Sequence, residues 1–461
     1  PLAVEKNTGD SVVSGTLNTK GHFVFRATRV GSETLLAGII KMVGDAQGSK
    51  APIQGLADTI SSVFVPVVLV FSVLVFAAWL FFGIPVLGFA QALSLGLTAF
   101  VGILVIACPC ALGLATPIAV IVGVGKGAEN GILIKDAATL QKLQSVNTVV
   151  MDKTGTITKG KPEVVALERY GTMSEEAFLR IVASLEHKSE HPLASAILAY
   201  AHEHGVVEGG AELFENMEGR GVRGTLEGTE YFAGNATLMR ELGLTFDSEA
   251  LHTHTHKGRT PIMLATAKEV LGIVLVADAI KPEAIAAIKK LHSMGIQTVM
   301  LTGDNQQTAE AIAQEVGIDT VVAQVLPGEK LEKIKALQTE GRIVAMAGDG
   351  VNDAPALAIA DVGIAMGTGT DVAIETAGIT LLGGDISKLV KAIHLSRLTM
   401  NGIKQNLFWA FSYNLIGIPV AAGILFPFFG ILLSPVIAGL AMAFSSVSVV
   451  LNSLRLKSVK L

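Results

Sequence analysis

The chain has 461 residues, of which 50% are hydrophobic and only 16% are charged. A soluble globular protein would be nearer a quarter charged, so a purely soluble enzyme is excluded. The net charge of −5 gives no support for nucleic-acid binding.

The shortage of charge is confined to two blocks, residues 59–125 and 405–454, which contain no Asp, Glu, Lys or Arg. The other 344 residues carry all 75 charged residues, about 22%, which is ordinary for a soluble part. Because a spanning helix needs about 20 apolar residues, each block can form a transmembrane hairpin. The sequence therefore predicts a multi-pass protein embedded in membrane lipid, with a large soluble part.

In chain order, residues 1–45 alternate Val, Gly, Thr and charged residues, which predicts a small β module before a polar linker. The first block is expected to span the membrane over about 60–82 and 89–124, and the second over about 405–425 and 431–454. Pro109 and Pro117 each remove a helical hydrogen bond, so a kink or break is expected mid-membrane. Lys and Arg flank the ends of the blocks, which predicts a cytoplasmic soluble part.

Between the blocks, the segments NTVVMDKTGT, GIQTVMLTGD and GRIVAMAGDGVND each place an apolar run before a turn rich in Thr, Gly and Asp. Helical patterns such as PEAIAAIKKLHSMG and TAEAIAQEVG separate them. This alternation predicts a doubly wound parallel sheet with its chemistry at the carboxyl ends of the strands. The stretch Lys159–Ala277 interrupts the pattern and is predicted to be an inserted domain.

The strand-end residues suit phosphoryl transfer. Asp152 can form a covalent aspartyl ester with a phosphoryl group, and Asp349 and Asp353 add hard oxygen ligands suited to Mg²⁺. Thr302 can hydrogen-bond phosphate oxygens, and Lys330 can neutralise the attacked group. The predicted catalytic residues are Asp152, Lys153, Thr154, Thr302 and Lys330, and the predicted Mg²⁺ ligands are Asp152, the carbonyl of Thr154, Asp349 and Asp353. Taken singly, each is equally a capping Asp or a turn residue.

DKTGTIT, TGDN and GDGVNDAPAL resemble the phosphorylation domain of P-type ATPases, which has a haloacid-dehalogenase-like α/β fold. The resemblance implies that ATP phosphorylates Asp152 and that the phosphoenzyme is then hydrolysed within a transport cycle. SEHP, within the insert, resembles the heavy-metal-transporting members. It implies an α+β nucleotide-binding domain whose ATP-binding residues are Glu186, His191, Gly219, Gly221 and Asn235. Taken alone, His191 is equally a surface histidine, and GRG a hairpin turn.

Two further groups of candidate metal ligands remain, the two cysteines and the histidines of HTHTH. Cys108 and Cys110 are the only cysteines and flank Pro109, a spacing that is predicted to be too short for a disulfide framework. Their thiolates would select a soft ion such as Cu(I), or borderline Zn(II), although two small residues beside a kink are an alternative. The histidines of HTHTH would share one face if the segment were a strand, but a solvated loop is the preferred interpretation.

The last two predicted spans separate the two metals. They contain neither a carboxylate nor a lysine, whereas zinc/cadmium pumps of the family have a charged group there. CPC, YN-x4-P and M-x2-SS together resemble the copper(I)-exporting class. That resemblance implies a Cu⁺ site of Cys108, Cys110 and Met442, with Tyr413, Asn414 and Ser446 nearby. Met442 alone is equally a core or lipid-facing side chain.

The resemblance also implies a domain order and partners. The predicted order is the C-terminal part of an actuator domain (1–45), a transmembrane hairpin with CPC (59–125), a phosphorylation domain (127–158 and 276–394), a nucleotide-binding domain (159–275) and a second transmembrane hairpin (405–454). PLAVEKNTGDSV resembles the stretch after the TGE motif of the actuator, so an upstream part of the same protein is expected before Pro1. The copper ion and a cytosolic copper chaperone are expected partners. The alternatives are a zinc/cadmium pump, a membrane-anchored phosphatase and a non-catalytic metal sensor.

Overall fold

The computed structural model describes residues 51–189, 192–217, 220–256, 258–304, 306–350, 353–368 and 371–461, and before them positions 12, 24–27, 30 and 44. The predicted β module and polar linker therefore lie almost wholly outside the described residues. The chain divides into two compact units. The first unit comprises Pro1–Ser145, Gly378–Thr380 and Lys391–Leu461, and the second comprises Val146–Ala377 and Leu381–Val390.

The described helices are α1 (Pro52–Leu87), α2 (Phe89–Ile106), α3 (Cys110–Glu129), α4 (Ala137–Leu143), α5 (Glu175–Glu186), α6 (Pro192–Glu203), α7 (Ala236–Glu241), α8 (Ser248–His256), α9 (Ala284–Ser293), α10 (Gln306–Val316), α11 (Pro327–Thr339), α12 (Ala354–Ile359), α13 (Asp371–Thr376), α14 (Ser387–Ala422), α15 (Phe426–Phe429) and α16 (Pro435–Ser458). The described strands are β1 (Ile132–Ile134), β2 (Thr148–Asp152), β3 (Thr158–Arg169), β4 (Glu212–Met217), β5 (Gly221–Leu226), β6 (Thr229–Gly234), β7 (Thr260–Thr266), β8 (Val270–Ile280), β9 (Gln297–Leu301), β10 (Thr320–Val322), β11 (Val344–Gly348), β12 (Val362–Met366) and β13 (Ile379–Leu381).

The first unit contains the long apolar helices. By length and composition, three helical stretches of the described chain could cross a membrane: Pro52–Leu87, Phe89–Glu129 and Pro435–Ser458. The fourth predicted span, 405–425, falls in the carboxyl-terminal half of α14 and is not among them. Polar side chains such as Asn406, Ser412 and Asn414 lower its apolar content, so this span stays a prediction.

The expected interruption at CPC is confirmed. Helix α2 ends at Ile106 and α3 begins at Cys110, with Pro109 in a non-helical conformation between them. Pro117, however, lies inside α3, which continues to Glu129, so no break occurs there. A single missing amide within a helix that packs against neighbours is tolerated, because surrounding groups can satisfy the freed carbonyl.

Close glycine contacts pack the first unit. A Cβ added at Gly417 of α14 would lie 2.1 Å from Cδ1 of Ile106 on α2. One added at Gly123 of α3 would lie 2.6 Å from Oγ1 of Thr399 on α14. Small residues are enriched between membrane helices because they let backbones approach. These two contacts hold α14 against both halves of the interrupted helix.

The second unit contains the predicted parallel sheet, so that prediction is confirmed. Within this unit the strands follow the order β12–β11–β2–β9–β10, and all four neighbouring pairs are parallel. Every residue of β2, β11 and β12 is buried, as expected for strands covered on both faces. Their carboxyl ends meet at one edge, so the residues that follow β2, β9 and β11 converge there.

A second, antiparallel sheet forms the insert, with strand order β3–β8–β7–β6–β5–β4. Its core includes Phe178, Val182 and Leu185 of α5 and Ile197 of α6. The sheet extends from Thr158 to Ile280, slightly beyond the predicted 159–275. HTHTH ends helix α8, so both the strand and the loop interpretations of this segment are wrong.

Candidate functional site

Three carboxylates converge at the edge of the parallel sheet. Asp152 ends β2, while Asp349 and Asp353 follow β11, and one oxygen from each lies within 4.8 Å of the others. The turn after β2 makes this approach feasible. Gly155 has a φ of +71°, and a Cβ there would lie 1.6 Å from Oδ2 of Asp349. Glycine is therefore required both by conformation and by space.

Lys330 joins two of the three carboxylates. Its Nζ donates to Oδ1 of Asp152 and to Oδ1 of Asp353, each at 2.6 Å. Burial, reinforced by repulsion from Asp353, raises the pKa of Asp152 to about 6, although Lys330 acts in the opposite direction. Burial alone would lower the pKa of Lys330, but the two carboxylates outweigh it and the net shift is upward. The pair is thus ionised at neutral pH.

The remaining negative charge suits a divalent cation. Burial and the charge of Asp353 raise the pKa of Asp349, although Lys281 and Lys330 act in the opposite direction, which indicates that the nearby lysines do not fully balance the three carboxylates. Carboxylate oxygens are the ligands that Mg²⁺ prefers, so Asp152, Asp349 and Asp353 fit this ion. Thr154 lies in the same turn, with extended backbone, and its role as a carbonyl ligand stays a prediction.

Two other predicted catalytic residues lie on neighbouring turns. Thr302 directly follows β9, is 2% exposed, and its hydroxyl accepts a hydrogen bond from the amide of Asp304 at 3.1 Å. Lys153 forms an ion pair with Asp304 at 2.6 Å. Lys153 is therefore bound by the turn after β9, next to Thr302, and Asp304 is a residue that the sequence prediction did not name.

Lys281 was also missed. Its Nζ donates to the carbonyl oxygens of Gly155 and Gly384, the latter at 2.8 Å, and burial lowers its pKa. Asp278, three residues earlier, accepts from the Thr158 hydroxyl at 2.5 Å and from the Gly160 amide at 2.8 Å. Both charged residues hold the turn after β2. The signal was present in ADAIKPEA, where charges follow a long apolar strand.

The insert contains a cavity of about 310 Å³ whose lining includes Glu186, Gly221 and Asn235. The structure thus brings together three of the five predicted ATP-binding residues. His191 and Gly219 lie outside the described residues. Glu186 is 6% exposed, and burial raises its pKa. Asn235 also caps α7, since its Oδ1 accepts from the amides of Thr237 and Leu238.

Close backbone approach shapes this cavity. A Cβ added at Gly221 would lie 2.1 Å from the carbonyl oxygen of Ala233, and one at Gly234 would lie 2.3 Å from that of Arg220. Strands β5 and β6 can therefore approach this closely only because glycine occupies both positions 221 and 234. The resulting wall of backbone groups can contact a planar or phosphorylated ligand without an intervening side chain.

A second cavity, of about 320 Å³, adjoins the first. Both are lined by Leu193, Thr260 and Pro261. The second is also lined by Lys153 and Asp304, which belong to the turns beside the carboxylate cluster. The two cavities together connect the Glu186 side of the insert with the edge of the parallel sheet.

In the first unit, the two cysteines form a disulfide, with a Cα–Cα distance of 5.4 Å. The prediction that so short a spacing prevents a bridge is wrong. The non-helical conformation at Pro109 turns the chain, and the Cα atoms then lie within the range that a disulfide requires. Cys108 and Cys110 can therefore bind a metal ion as thiolates only when the disulfide is reduced.

The other candidate metal ligands differ in their surroundings. Met442 is 6% exposed and packs in a cluster with Ile106 and Ala107, directly before Cys108. Asn414 is 1% exposed, and neither atom of its side-chain amide has a hydrogen-bond partner within the described chain. Tyr413 is partly exposed, as is Ser446, whose hydroxyl donates to the carbonyl of Met442.

Ser445, which the sequence prediction passed over in favour of Ser446, is 1% exposed, and its hydroxyl has no partner among the described residues. Buried polar atoms without partners are rare and call for a ligand or water. Both cysteines are exposed in the chain. It stays a prediction that the two sulfurs form one ion site together with Met442 and Asn414.

A buried carboxylate at a strand end, with two further carboxylates and a lysine on a doubly wound sheet, defines a phosphoryl-transfer protein of the haloacid dehalogenase-like class. In agreement, residues 146–361 match the haloacid dehalogenase-like hydrolase family. Residues 1–44 match the P-type ATPase actuator domain.

Similar proteins narrow the class. The chain is 50% identical over 462 residues to a silver-exporting P-type ATPase of Salmonella typhimurium, covering 100% of this chain and 56% of that protein. It is 50% identical over 465 residues to a copper-exporting P-type ATPase of Legionella pneumophila, covering 100% of this chain and 62% of that protein. The chain thus spans little more than half the length of these curated relatives.

A solved structure gives the same assignment. The crystal structure of a zinc-transporting PIB-type ATPase in the E2.Pi state is 33% identical in sequence, with a TM-score of 0.76. The match covers 92% of this chain and 68% of that one. The chain belongs to the P-type ATPase family. The predicted fold class is thereby confirmed: a multi-pass membrane protein with a haloacid-dehalogenase-like domain.

Proposed function

We propose that the chain is the catalytic and carboxyl-terminal membrane part of a pump that exports Cu(I) across a membrane, driven by ATP through an aspartyl phosphate at Asp152. The observation that carries this proposal is the Lys330 bridge between Asp152 and Asp353, at 2.6 Å to each. Relatives of about 50% identity with copper- or silver-exporting names support the choice of cargo.

In the proposed reaction, an ionised oxygen of Asp152 attacks the γ-phosphorus of ATP, the bond to the β-phosphate oxygen breaks, and ADP leaves. With a pKa of about 6, Asp152 is largely ionised at neutral pH and can act as the nucleophile. Lys330 holds one oxygen of Asp152, which leaves the other for attack. Asp152, Asp349 and Asp353 would hold Mg²⁺, which would neutralise negative charge on the phosphates. Thr302, at the adjacent strand end, would donate to a phosphoryl oxygen.

The two adjoining cavities suggest how ATP is presented. The nucleoside would occupy the cavity lined by Glu186, Gly221 and Asn235. The phosphate chain would extend through the cavity that Lys153 lines, toward Asp152. His191 and Gly219 belong to the same proposed nucleotide site. ATP and Mg²⁺ are thus proposed as the cofactors of this part.

The transported ion would bind at the interruption between α2 and α3. With the disulfide reduced, Cys108 and Cys110 offer two thiolates, and Met442 offers a thioether, a donor set selective for Cu(I). Asn414 and Tyr413 lie on α14, and Ser446 follows Met442 by one turn. The side-chain amide of Asn414, which has no hydrogen-bond partner among the described residues, supports the placement of a polar site on this part of α14.

The principal alternative is a zinc/cadmium exporter, which the zinc-transporting structural neighbour favours. A divalent ion beside two thiolates would be expected to have another charged group nearby, and residues 405–454 contain none. A membrane-anchored phosphatase would not need the CPC interruption. A non-catalytic sensor would not need the Lys330 bridge.

Location and partners follow from the same proposal. Lys126, Arg455 and Lys457 flank the apolar helices α3 and α16, and the chain after Lys126 leads into the second unit, which favours a cytoplasmic catalytic part. A cytosolic copper chaperone would deliver the ion. An upstream part of the same protein would complete the actuator domain and the membrane path.

The choice of metal is tested by metal-dependent ATP hydrolysis of the full-length protein in lipid nanodiscs, under reducing conditions. We expect stimulation by Cu⁺ and by Ag⁺, and none by Zn²⁺ or Cd²⁺, because the site offers sulfur ligands without a carboxylate. Cys108→Ser/Cys110→Ser should abolish the stimulation. Stimulation by Zn²⁺ alone would replace the copper assignment with the zinc one, and metal-independent turnover in the double variant would favour the phosphatase.

A further inference from the structure

Asn406 is a fully buried polar side chain in the apolar half of α14, with an exposure of 0%. Its Nδ2 donates to the backbone carbonyl of Ala115 at 3.1 Å and to Oγ of Ser453 at 2.8 Å. Its Oδ1 accepts from Nδ2 of Asn452 at 2.9 Å. A buried amide in an apolar environment is costly unless bonded, and this one uses both donor hydrogens and an acceptor.

The bonding pattern fixes the orientation of the amide. The carbonyl of Ala115 can only accept, so the NH₂ end of Asn406 must face α3. The oxygen end then faces α16, where Asn452 donates to it. Rotation of the amide by half a turn would place Oδ1 of Asn406 against the carbonyl oxygen of Ala115, and both are acceptors. These bonds are therefore compatible with only one orientation of the amide.

These bonds join three helices, each of which carries a proposed ion ligand. Helix α3 begins at Cys110, five residues before Ala115. Helix α14 carries Asn414, eight residues and about 12 Å along the axis beyond Asn406. Helix α16 carries Met442, eleven residues before Ser453. Asn406, on α14, is therefore bonded to both other helices, at a level remote from the ligands themselves.

A compact layer separates Asn406 from the ion-site level. Ala111, Ala115, Ala410 and Val449 form one buried cluster, contributed by the same three helices. Side chains this small leave little room for rotamer adjustment, so a displacement of one helix at the Asn406 level is transmitted along its axis. The interruption at Pro109 makes α3 the helix whose start most needs an external support.

We infer that Asn406 is a positioning residue of the transported-ion site: it sets the register of α3, α14 and α16, and thereby the spacing of Cys110, Asn414 and Met442. The inference rests on the proposed function, because it takes those residues as ligands. Asn406 itself lies too far along α14 to coordinate the same ion as Asn414.

The test uses full-length protein in nanodiscs, with reduced cysteines, and two variants, Asn406→Ala and Ser453→Ala. Loss of an outer support of a metal ligand typically weakens metal affinity by about tenfold. We therefore expect the Cu⁺ concentration that gives half-maximal phosphoenzyme to rise about tenfold in each variant. The half-saturating ATP concentration should be unchanged. A purely structural loss would lower the maximal phosphoenzyme without moving the Cu⁺ midpoint.

Ser448→Ala is the matched control. Ser448 and Ser453 both lie on α16 and both donate to the carbonyl four residues earlier, Phe444 and Val449 respectively. They differ in that Ser453 also accepts from Asn406. Ser448→Ala should leave the Cu⁺ midpoint at the wild-type value. In the Asn406→Ala background, Ser453→Ala should add less than its single effect.

Unchanged Cu⁺ midpoints in both variants, or a shift equal to that of Ser448→Ala, would overturn the inference. Its failure differs from failure of the proposed function, which the wild-type protein alone reveals. If phosphorylation of the wild-type protein depends on Zn²⁺ instead, the Zn²⁺ concentrations that give half-maximal phosphoenzyme are compared between the same variants. If its phosphorylation needs no metal, Cu⁺ affinity is measured by competition with a chromophoric Cu(I) chelator, and an unchanged affinity in both variants again rejects the role of Asn406.

Discussion

At the scale of single residues, the charge balance around Asp152 decides what the site can do. Two of the three carboxylates, Asp152 and Asp353, share the buried Lys330, and the pKa of Asp152 rises to about 6 through burial and through Asp353. Because Lys330 lowers that pKa, it keeps Asp152 ionised over more of the neutral range. In the proposed reaction, the lysine would thus both orient the nucleophile and keep it ionised.

Lys330→Ala tests this role. Loss of a charge-stabilising donor typically costs about a hundredfold in rate, so phosphoenzyme formation from ATP should fall by about that factor. The acidic limb of its pH profile should move to higher pH at constant Mg²⁺, because the pKa of Asp152 rises without the lysine. Lys333→Ala, an exposed lysine on the same helix α11, is the control. A limb that stays in place would contradict the electrostatic role.

Residue chemistry was predictable where a strand end and a motif coincided. Asp152, Asp349 and Asp353 follow apolar strands, and the parallel sheet then brings them together. Lys281 was missed although it follows an apolar strand in ADAIKPEA, because its hydrogen-bond partners are two backbone carbonyls, which no side-chain pattern indicates. The Cys108–Cys110 bridge was missed because spacing alone does not give the turn that Pro109 introduces.

At the scale of elements, the interrupted helix pair α2–α3 depends on contacts with α14. Gly417 meets the side chain of Ile106 near the end of α2, and Gly123 meets Thr399 beyond the interruption. Gly417 on α14 and Gly123 on α3 therefore determine how closely α14 can approach the segment that carries the two cysteines.

Gly417→Ala should separate these helices. The added methyl group would lie 2.1 Å from Cδ1 and 2.8 Å from Cγ1 of Ile106, and overpacking of this kind costs about 1–3 kcal/mol. We expect a lower thermal unfolding temperature in detergent. Gly402→Ala, on the same helix with nothing within 4 Å of the added atom, should be neutral or stabilising.

Ile106→Val removes the Cδ1 atom and should restore part of the stability lost in Gly417→Ala. An unfolding temperature for Gly417→Ala equal to that of Gly402→Ala would show that the contact is not a constraint.

Elements were predictable from period and length, but not where tertiary packing decided. The buried strands and the helices α9 and α10 follow their apolar patterns. HTHTH became the end of α8 because the Leu251 side chain beside it packs into the insert core, which periodicity over five residues cannot indicate. Helix α3 passes through Pro117 for a similar reason, since its neighbours stabilise it.

At the scale of the whole molecule, the chain combines helices long and apolar enough for a membrane with a phosphoryl-transfer domain and its insert. Charge distribution alone predicted the membrane spans and a large soluble part, because charge-free blocks and charged segments alternate along the chain, whereas the phosphoryl-transfer chemistry was predicted from the strand-end motifs. The proposed transport cycle would link chemistry at Asp152 to the ion ligands on α3, α14 and α16. The proposed link would belong to a longer protein, because this chain covers 56% and 62% of two curated relatives.

The measurement closest to the central claim is acid-stable labelling of the full-length protein by [γ-³²P]ATP in the presence of Cu⁺, compared between wild type and Asp152→Asn. Asparagine keeps the shape of the side chain but cannot form the acyl phosphate. The account predicts a label in wild type that hydroxylamine releases, and none in the variant. A label that persists in Asp152→Asn would contradict it.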